Sequence, residues 1–323
     1  MTLRGWSDCP QAATRDAYGQ TLVELGKKDP NIVVLDADLS VSTKTCLFAK
    51  EFPDRFFNVG VAEQDLMGIA ACLAAEGKIV FASTFAMFAV ARPFDIIRNS
   101  IAYPRLNVKI VATHGGLTVG EDGSSHQLLE DLSLTRALPN MTVIVPADAY
   151  EVPPVIRTAA RLAGPFYIRL NRANIPLVYK QEPRFLIGCS QTLREGKDLT
   201  IIACGIMVKA ALVAADDLEK NGLQTRVINM STIKPLDEKT VLKAAQETGA
   251  IVTAEEGTVL GGLGAAVAEC LGENWPVPLR RVGIKGLFGE SGKPVDLLVK
   301  YGLTYKDIFE AAIKVFERKN KKN

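Results

Sequence analysis

Ala62-Glu-Gln-Asp-Leu-Met-Gly-Ile-Ala-Ala-Cys-Leu73 lies between two short apolar runs, Ile32–Leu35 and Ile79–Ala82. Leu66, Ile69, Ala70 and Leu73 recur at helical spacing until Gly77 ends the pattern, which predicts an amphipathic helix with Glu63 in its first turn. A helix between two β-branched runs is the crossover of a parallel sheet. The same alternation continues on both sides. Strands are expected at Val108–Ala112, Thr142–Val145 and Tyr167–Leu170, and helices at Ala13–Lys27, Phe88–Ile101 and Ala149–Leu162. Around Pro176 to Lys197 the pattern breaks into a polar, Pro- and Gly-containing linker. A second series follows, with strands at Leu199–Cys204, Arg226–Ile228, Ile251–Ala254 and Leu279–Val282. Its helices are expected at Val208–Lys220, Glu238–Glu247, Gly264–Leu271 and Lys306–Arg318. The reading is α/β: two open, mostly parallel-sheet domains with flanking helices, spanning residues 1–185 and 186–323.

With 323 residues, of which 48% are hydrophobic, each half can build its own core. No apolar run approaches a membrane span, and the first ten residues lack a signal-peptide core, so a cytoplasmic protein without membrane partners is expected. The six cysteines stand singly, without zinc or disulfide spacing. A net charge of +2 with one basic run near the end, Lys314 to Lys322, argues against nucleic acid as a partner.

Ligands of open parallel sheets sit beyond the carboxyl ends of the strands. In the first half those positions hold Asp36, Asp38, Ser83, Thr84, Thr113, His114, Asn171 and Arg172; in the second half they hold mostly glycine, with Ser231, Glu255 and Glu256. Both histidines of the chain, His114 and His126, fall in one loop-like segment, Thr113-His-Gly-Gly-Leu-Thr-Val-Gly-Glu-Asp-Gly-Ser-Ser-His-Gln127. Polar density of that kind is typical of functional loops. Each residue also has a plain structural explanation. Glu63 gains roughly 0.3–1 kcal/mol from the helix dipole as a first-turn carboxylate, Phe85 and Phe88 suit a core, and a lone histidine is commonly a packed one. Gly257-Thr-Val-Leu-Gly-Gly-Leu-Gly264 invites a nucleotide-binding reading but does not match GxGxxG.

Gly60-Val-Ala-Glu-Gln, Ala82-Ser-Thr-Phe-Ala-Met-Phe and Gly120-Glu-Asp-Gly-Ser-Ser-His-Gln, in this order, resemble the pyrimidine-binding domain of transketolases. The likeness continues through Pro139-Asn-Met-Thr-Val-Ile-Val-Pro-Ala-Asp148, and the second half resembles the family's carboxy-terminal domain. The family's Gly-Asp-Gly motif with a downstream Asn, which holds magnesium and the cofactor's diphosphate, does not occur in the sequence. The resemblance therefore implies the carboxy-terminal subunit of a split, thiamine-diphosphate-dependent transketolase. An amino-terminal partner would supply the Mg2+ and diphosphate site in a heterotetramer of two copies each.

Residue by residue, the resemblance implies that Glu63 bonds the aminopyrimidine ring and promotes its imino tautomer, with Phe85 and Phe88 packing against that ring. Asp38 would stand near the cofactor. His126 would act on the donor's oxygens, Asp122 would read a sugar hydroxyl, and Arg15, Ser42, His114 and Arg172 would grip a terminal phosphate. Where many members carry a tyrosine, this chain has Ala91. The implied reaction transfers a two-carbon ketol unit from a ketose phosphate to an aldose phosphate. The beta subunit of a 2-oxoacid dehydrogenase shares the Ala-Glu-Gln core, and deoxyxylulose-phosphate synthase a similar Gly-x-Asp-Gly-x-x-His-Gln segment; both remain as alternatives. A partner that only stabilises a thiamine enzyme, and a sheet-built binding protein without cofactor, are the non-enzymatic readings.

Overall fold

The computed structural model describes residues 3–6 and 8–321. Its strands are β1 (Gln11–Ala13), β2 (Ile32–Asp36), β3 (Phe56–Asn58), β4 (Ile79–Phe85), β5 (Val108–Thr113), β6 (Thr142–Ile144) and β7 (Phe166–Arg169). They continue as β8 (Asn174–Pro176), β9 (Gln191–Arg194), β10 (Leu199–Ala203), β11 (Thr225–Asn229), β12 (Thr232–Lys234), β13 (Ile251–Thr258) and β14 (Leu279–Ile284). Seven strands form one sheet in the order β12-β6-β7-β5-β4-β2-β3 and five form another in the order β14-β13-β10-β11-β9. Within each of these two sheets every pairing is parallel except at one edge, β12 on β6 and β9 on β11, and β1 pairs antiparallel with β8 as a separate ribbon. The α/β expectation of open, mostly parallel sheets with flanking helices holds.

The central strands follow from their sequence. Ile-Val-Val-Leu-Asp of β2 is buried at every position, as a parallel strand covered on both faces requires. The helix Glu63–Ala75 buries Leu66, Met67, Ala70, Ala71 and Ala74, while Ile69 and Leu73 are only partly buried. The buried face is thus turned from the expected stripe toward the small alanines, which let the helix approach β4 closely.

One expected helix is broken. Phe88–Ile101 is replaced by π-helical turns at Met87–Ala91 and Ile97–Ala102, with Phe94–Ile96 helical between them. Pro93 has no N–H to donate and crowds the preceding turn, so a regular helix cannot run through it. The expected linker contains two short strands, the end of β8 and all of β9, whose lengths carry no readable periodicity.

The two halves are stitched together. β12, well beyond the expected boundary, adds to the first sheet antiparallel to β6, with Thr232 opposite Ile144 and Lys234 opposite Val143. Lys234 Nζ then donates to the Arg136 and Leu138 carbonyls, at 2.8 and 2.6 Å, at the end of the helix Asp131–Ala137. One hydrophobic cluster runs from Leu132, Leu138 and Val143 to Met230, Ile233 and Val241. Among the described residues no helix is long and apolar enough to cross a membrane.

Candidate active site at the carboxyl end of the first sheet

The carboxyl ends of β2, β4, β5 and β7 deliver Asp36, Phe85, His114 and Arg172 to one rim of the sheet. Glu63 begins the helix that follows β3. It is 4% exposed, and Arg92 Nη1 donates to both of its oxygens, at 3.0 and 2.9 Å. Phe85 and Phe88 stack with ring centroids 5.9 Å apart and planes 18° apart. The Arg92 guanidinium carbon lies 4.6 Å above the Phe88 ring.

The two histidines that cluster in the sequence meet the same aromatic pair. His114 stacks on Phe85 at 3.6 Å and 17°, and His126 stands edge-on to Phe88 at 5.2 Å and 74°. His114 has φ 57°, a left-handed conformation unusual for a side chain with Cβ and a mark of functional loops. Burial, then the positive fields of Arg15, Arg172 and His126, lowers its pKa to about 3, so the ring is neutral at pH 7. Its Nδ1 shares a 2.9 Å hydrogen bond with Thr113 Oγ1. His126 is half-buried, with Ser125 Oγ 3.0 Å from its Nδ1.

Arg15, at the start of the helix Thr14–Lys28, donates through Nη1 to the Ser42 carbonyl at 2.9 Å, and its Nε is buried without a hydrogen-bond partner. Arg172 donates to the Val119 carbonyl at 2.9 Å and to Glu121 at 3.0 Å, and lies 3.6 Å from the exposed Asp122. Asp38 is exposed, with φ 63°, and exchanges hydrogen bonds with Asn58 at 3.1 and 3.2 Å. Both phenylalanines and both histidines therefore form one contact group, to which Arg92 links Glu63, while Arg15 with Ser42, Arg172 with Asp122, and Asp38 with Asn58 form pairs of their own. Among the described residues no group of His, Cys, Asp or Glu side chains could hold a metal ion.

Two family models match the chain: "Transketolase, pyrimidine binding domain" over residues 10–178 and "Transketolase, C-terminal domain" over residues 188–308. The chain belongs to the transketolase family. A relative from Methanocaldococcus jannaschii, "Putative transketolase C-terminal section", is 53% identical over 297 residues, which cover 91% of this chain and 93% of that one. The 6-deoxy-6-sulfo-D-fructose transketolase subunit SqwH of Clostridium sp. is 46% identical over 306 residues, 95% of each chain. A solved structure, "Split gene transketolase, inactive beta4 tetramer", matches with TM-score 0.89 at 56% identity, over 94% of this chain and 98% of that one.

The site draws on Arg92, which the sequence reading did not name, and on Asp36 and Glu256, which it placed at strand ends without a role. Arg92 directly follows the noted Ala91, and an arginine four residues past Phe88, one helical turn on from the aromatic segment, was the available signal. Asp36 is fully buried and accepts from Thr43 and Thr45 hydroxyls at 2.6 and 2.9 Å and from the Leu39 N–H at 2.6 Å, which fixes the turn carrying Ser42. Burial pushes its carboxyl up, and those hydrogen bonds oppose the shift. From the second half, Glu256 reaches across to accept from the Thr118 N–H at 2.6 Å and Asn171 Nδ2 at 3.1 Å, anchoring the histidine loop.

The glycine cluster of this chain serves one of the chain's own carboxyl groups. Glu255 accepts from the Leu263 and Gly264 N–H groups, at 2.8 and 2.7 Å, at the start of the helix Leu263–Asn274. That helix terminus is already occupied by the Glu255 carboxyl, whose pKa burial pushes up to about 7, so its first N–H groups are not free for a phosphate. A Cβ on Gly262 would collide with the Glu255 carboxylate.

Proposed function

We propose that the chain is the pyrimidine-binding half of a two-subunit, thiamine-diphosphate-dependent transketolase that moves a ketol unit from a ketose phosphate to an aldose phosphate. The observation that carries the reading is the buried Glu63 carboxylate beside the Phe85–Phe88 stack. It already holds a planar N–H donor against that stack, so a planar aminopyrimidine fits the same donor and ring geometry. Residues 1–185 are the pyrimidine-binding domain in this reading, and 186–323 the carboxy-terminal domain.

Thiamine diphosphate, when bound, supplies the electron sink for breaking the bond between the second and third carbons of the ketose. Glu63 holds the pyrimidine and moves its proton, a task for a desolvated carboxylate. Phe85 and Phe88 would pack against the ring, and Asp38 would stand near the cofactor. His126, half-buried and edge-on to Phe88, bonds the donor's oxygens and handles their protons. His114, neutral by burial, adds a hydrogen bond without adding charge. The buried, unpartnered Nε of Arg15 leaves a donor for phosphate, and Arg172 and Ser42 complete the grip. Asp122, beside Arg172, reads a sugar hydroxyl.

The diphosphate and Mg2+ belong to the amino-terminal partner subunit in a cytoplasmic heterotetramer of two copies each. Likeness to the M. jannaschii carboxy-terminal section and to a split-gene chain whose beta4 tetramer is inactive supports the need for an amino-terminal partner subunit. The testing experiment is transfer from xylulose 5-phosphate to ribose 5-phosphate by the complex recovered with this chain, with and without thiamine diphosphate and magnesium. Cofactor-dependent sedoheptulose 7-phosphate is expected. Pyruvate turnover without ketol transfer would instead select the dehydrogenase or synthase reading.

A further inference from the structure

Arg92 does two things at once. Its Nη1 spans both Glu63 oxygens, at 3.0 and 2.9 Å, and its guanidinium carbon lies over Phe88, 4.6 Å from the ring centroid. A planar group that donates N–H to a carboxylate while seated over a phenylalanine ring is also a description of an aminopyrimidine in this pocket. We propose that Arg92 is an internal mimic of the cofactor's aminopyrimidine, competing with it for Glu63 and Phe88, so that cofactor entry exchanges one planar donor for the other.

This rests on the thiamine-diphosphate reading above and adds a device to it. The energetics favour an exchange over a permanent pair. Glu63 is buried, and an ionised carboxylate stripped of every partner there is costly, so one donor leaves as the other arrives. Arg92 has a side chain 51% exposed, and its release into water requires little desolvation. It lies just past the π-helical turn Met87–Ala91 and before Pro93, where the backbone departs from a regular helix. Ala91, small and exposed, puts no side-chain bulk beside Arg92.

The experiment is calorimetric titration of thiamine diphosphate, at saturating Mg2+, into the complex of this full chain with its amino-terminal partner. Removing the competitor in Arg92→Ala is expected to tighten binding about fivefold to tenfold, the combined worth of a half-exposed ion pair and a cation–π contact. Arg92→Lys, which keeps the charge without the planar fork, should fall between the two. In a Glu63→Gln background, Arg92→Ala should tighten binding only about twofold to threefold, because the contested carboxylate is gone and the Phe88 contact alone remains. Unchanged or weakened binding in Arg92→Ala overturns the proposal. If neither wild type nor Arg92→Ala binds thiamine diphosphate, the cofactor reading itself falls and takes the mimic with it.

Discussion

Glu63→Gln separates the two explanations of a first-turn carboxylate by magnitude. As a structural group, Glu63 gains roughly 0.3–1 kcal/mol from the helix terminus. Its pair with Arg92 adds little, since Arg92 is half-exposed and solvent screens it; about 0.5 kcal/mol is the scale of such pairs. The amide is isosteric and leaves the core beneath Leu66 and Met67 untouched. The total destabilisation is then about 1 kcal/mol, which in a chain of this size lowers Tm by roughly 2–4 °C. As the group that moves the pyrimidine proton, it accounts for about 10²–10⁴ in kcat. The assay pairs thermal melts of the variant with ketol transfer by the two-subunit complex at saturating cofactor. A fall in kcat below tenfold, with the melting change as stated, would refute the catalytic role and leave Glu63 as a helix-terminus residue.

Gly262→Ala places a methyl against Glu255 in a closed turn and should cost about 1–3 kcal/mol, the usual range for overpacking; a denaturant midpoint unmoved within error would contradict the packing described. Arg15→Ala removes charge-assisted hydrogen bonds worth roughly 1.5–3 kcal/mol and should lower kcat/KM for phosphorylated donors about 10- to 100-fold. Hydroxypyruvate, which has no phosphate, serves as the control, and an equal loss with it would remove Arg15 from phosphate binding. His114 has a folded pKa of about 3, below its unfolded value of 6.5, so its contribution to stability is complete above pH 6.5 and is lost as pH falls toward 3. Melts of His114→Asn should accordingly show a shallower decline than wild type between pH 6.5 and 4; parallel curves would count against the burial of a neutral ring.

What the sequence makes legible is what its periodicity and residue scarcity encode. Central parallel strands such as β2 and β5 are buried along their whole length and appear as largely apolar runs, Ile-Val-Val-Leu in β2 and, after the buried Lys109, Ile-Val-Ala in β5. The histidine loop stands out because the chain has only two histidines and both lie there. The strands β1, β3, β8, β9 and β12 escape notice because three or four residues at a sheet edge or in a separate ribbon carry no period of their own. Phe88–Ile101 reads as a helix by its apolar spacing, and Pro93 overrides that spacing locally. Arg92, Glu255 and Glu256 are ordinary charged residues in one dimension. Their importance comes from long-range partners: a carboxylate 29 residues away for Arg92 and an asparagine 85 residues away for Glu256.

The antiparallel seam between β6 and β12 has a bearing on how the chain comes off the ribosome. The first sheet does not receive its last strand until residue 234 has been translated, so a nascent chain halted at residue 185 carries the bare backbone edge of Thr142–Ile144. Exposed edges recruit other chains. Gene fragments cut at the apparent linker would therefore yield sticky, poorly behaved protein, whereas a construction that ends after Lys234 would retain the strand that seals that edge.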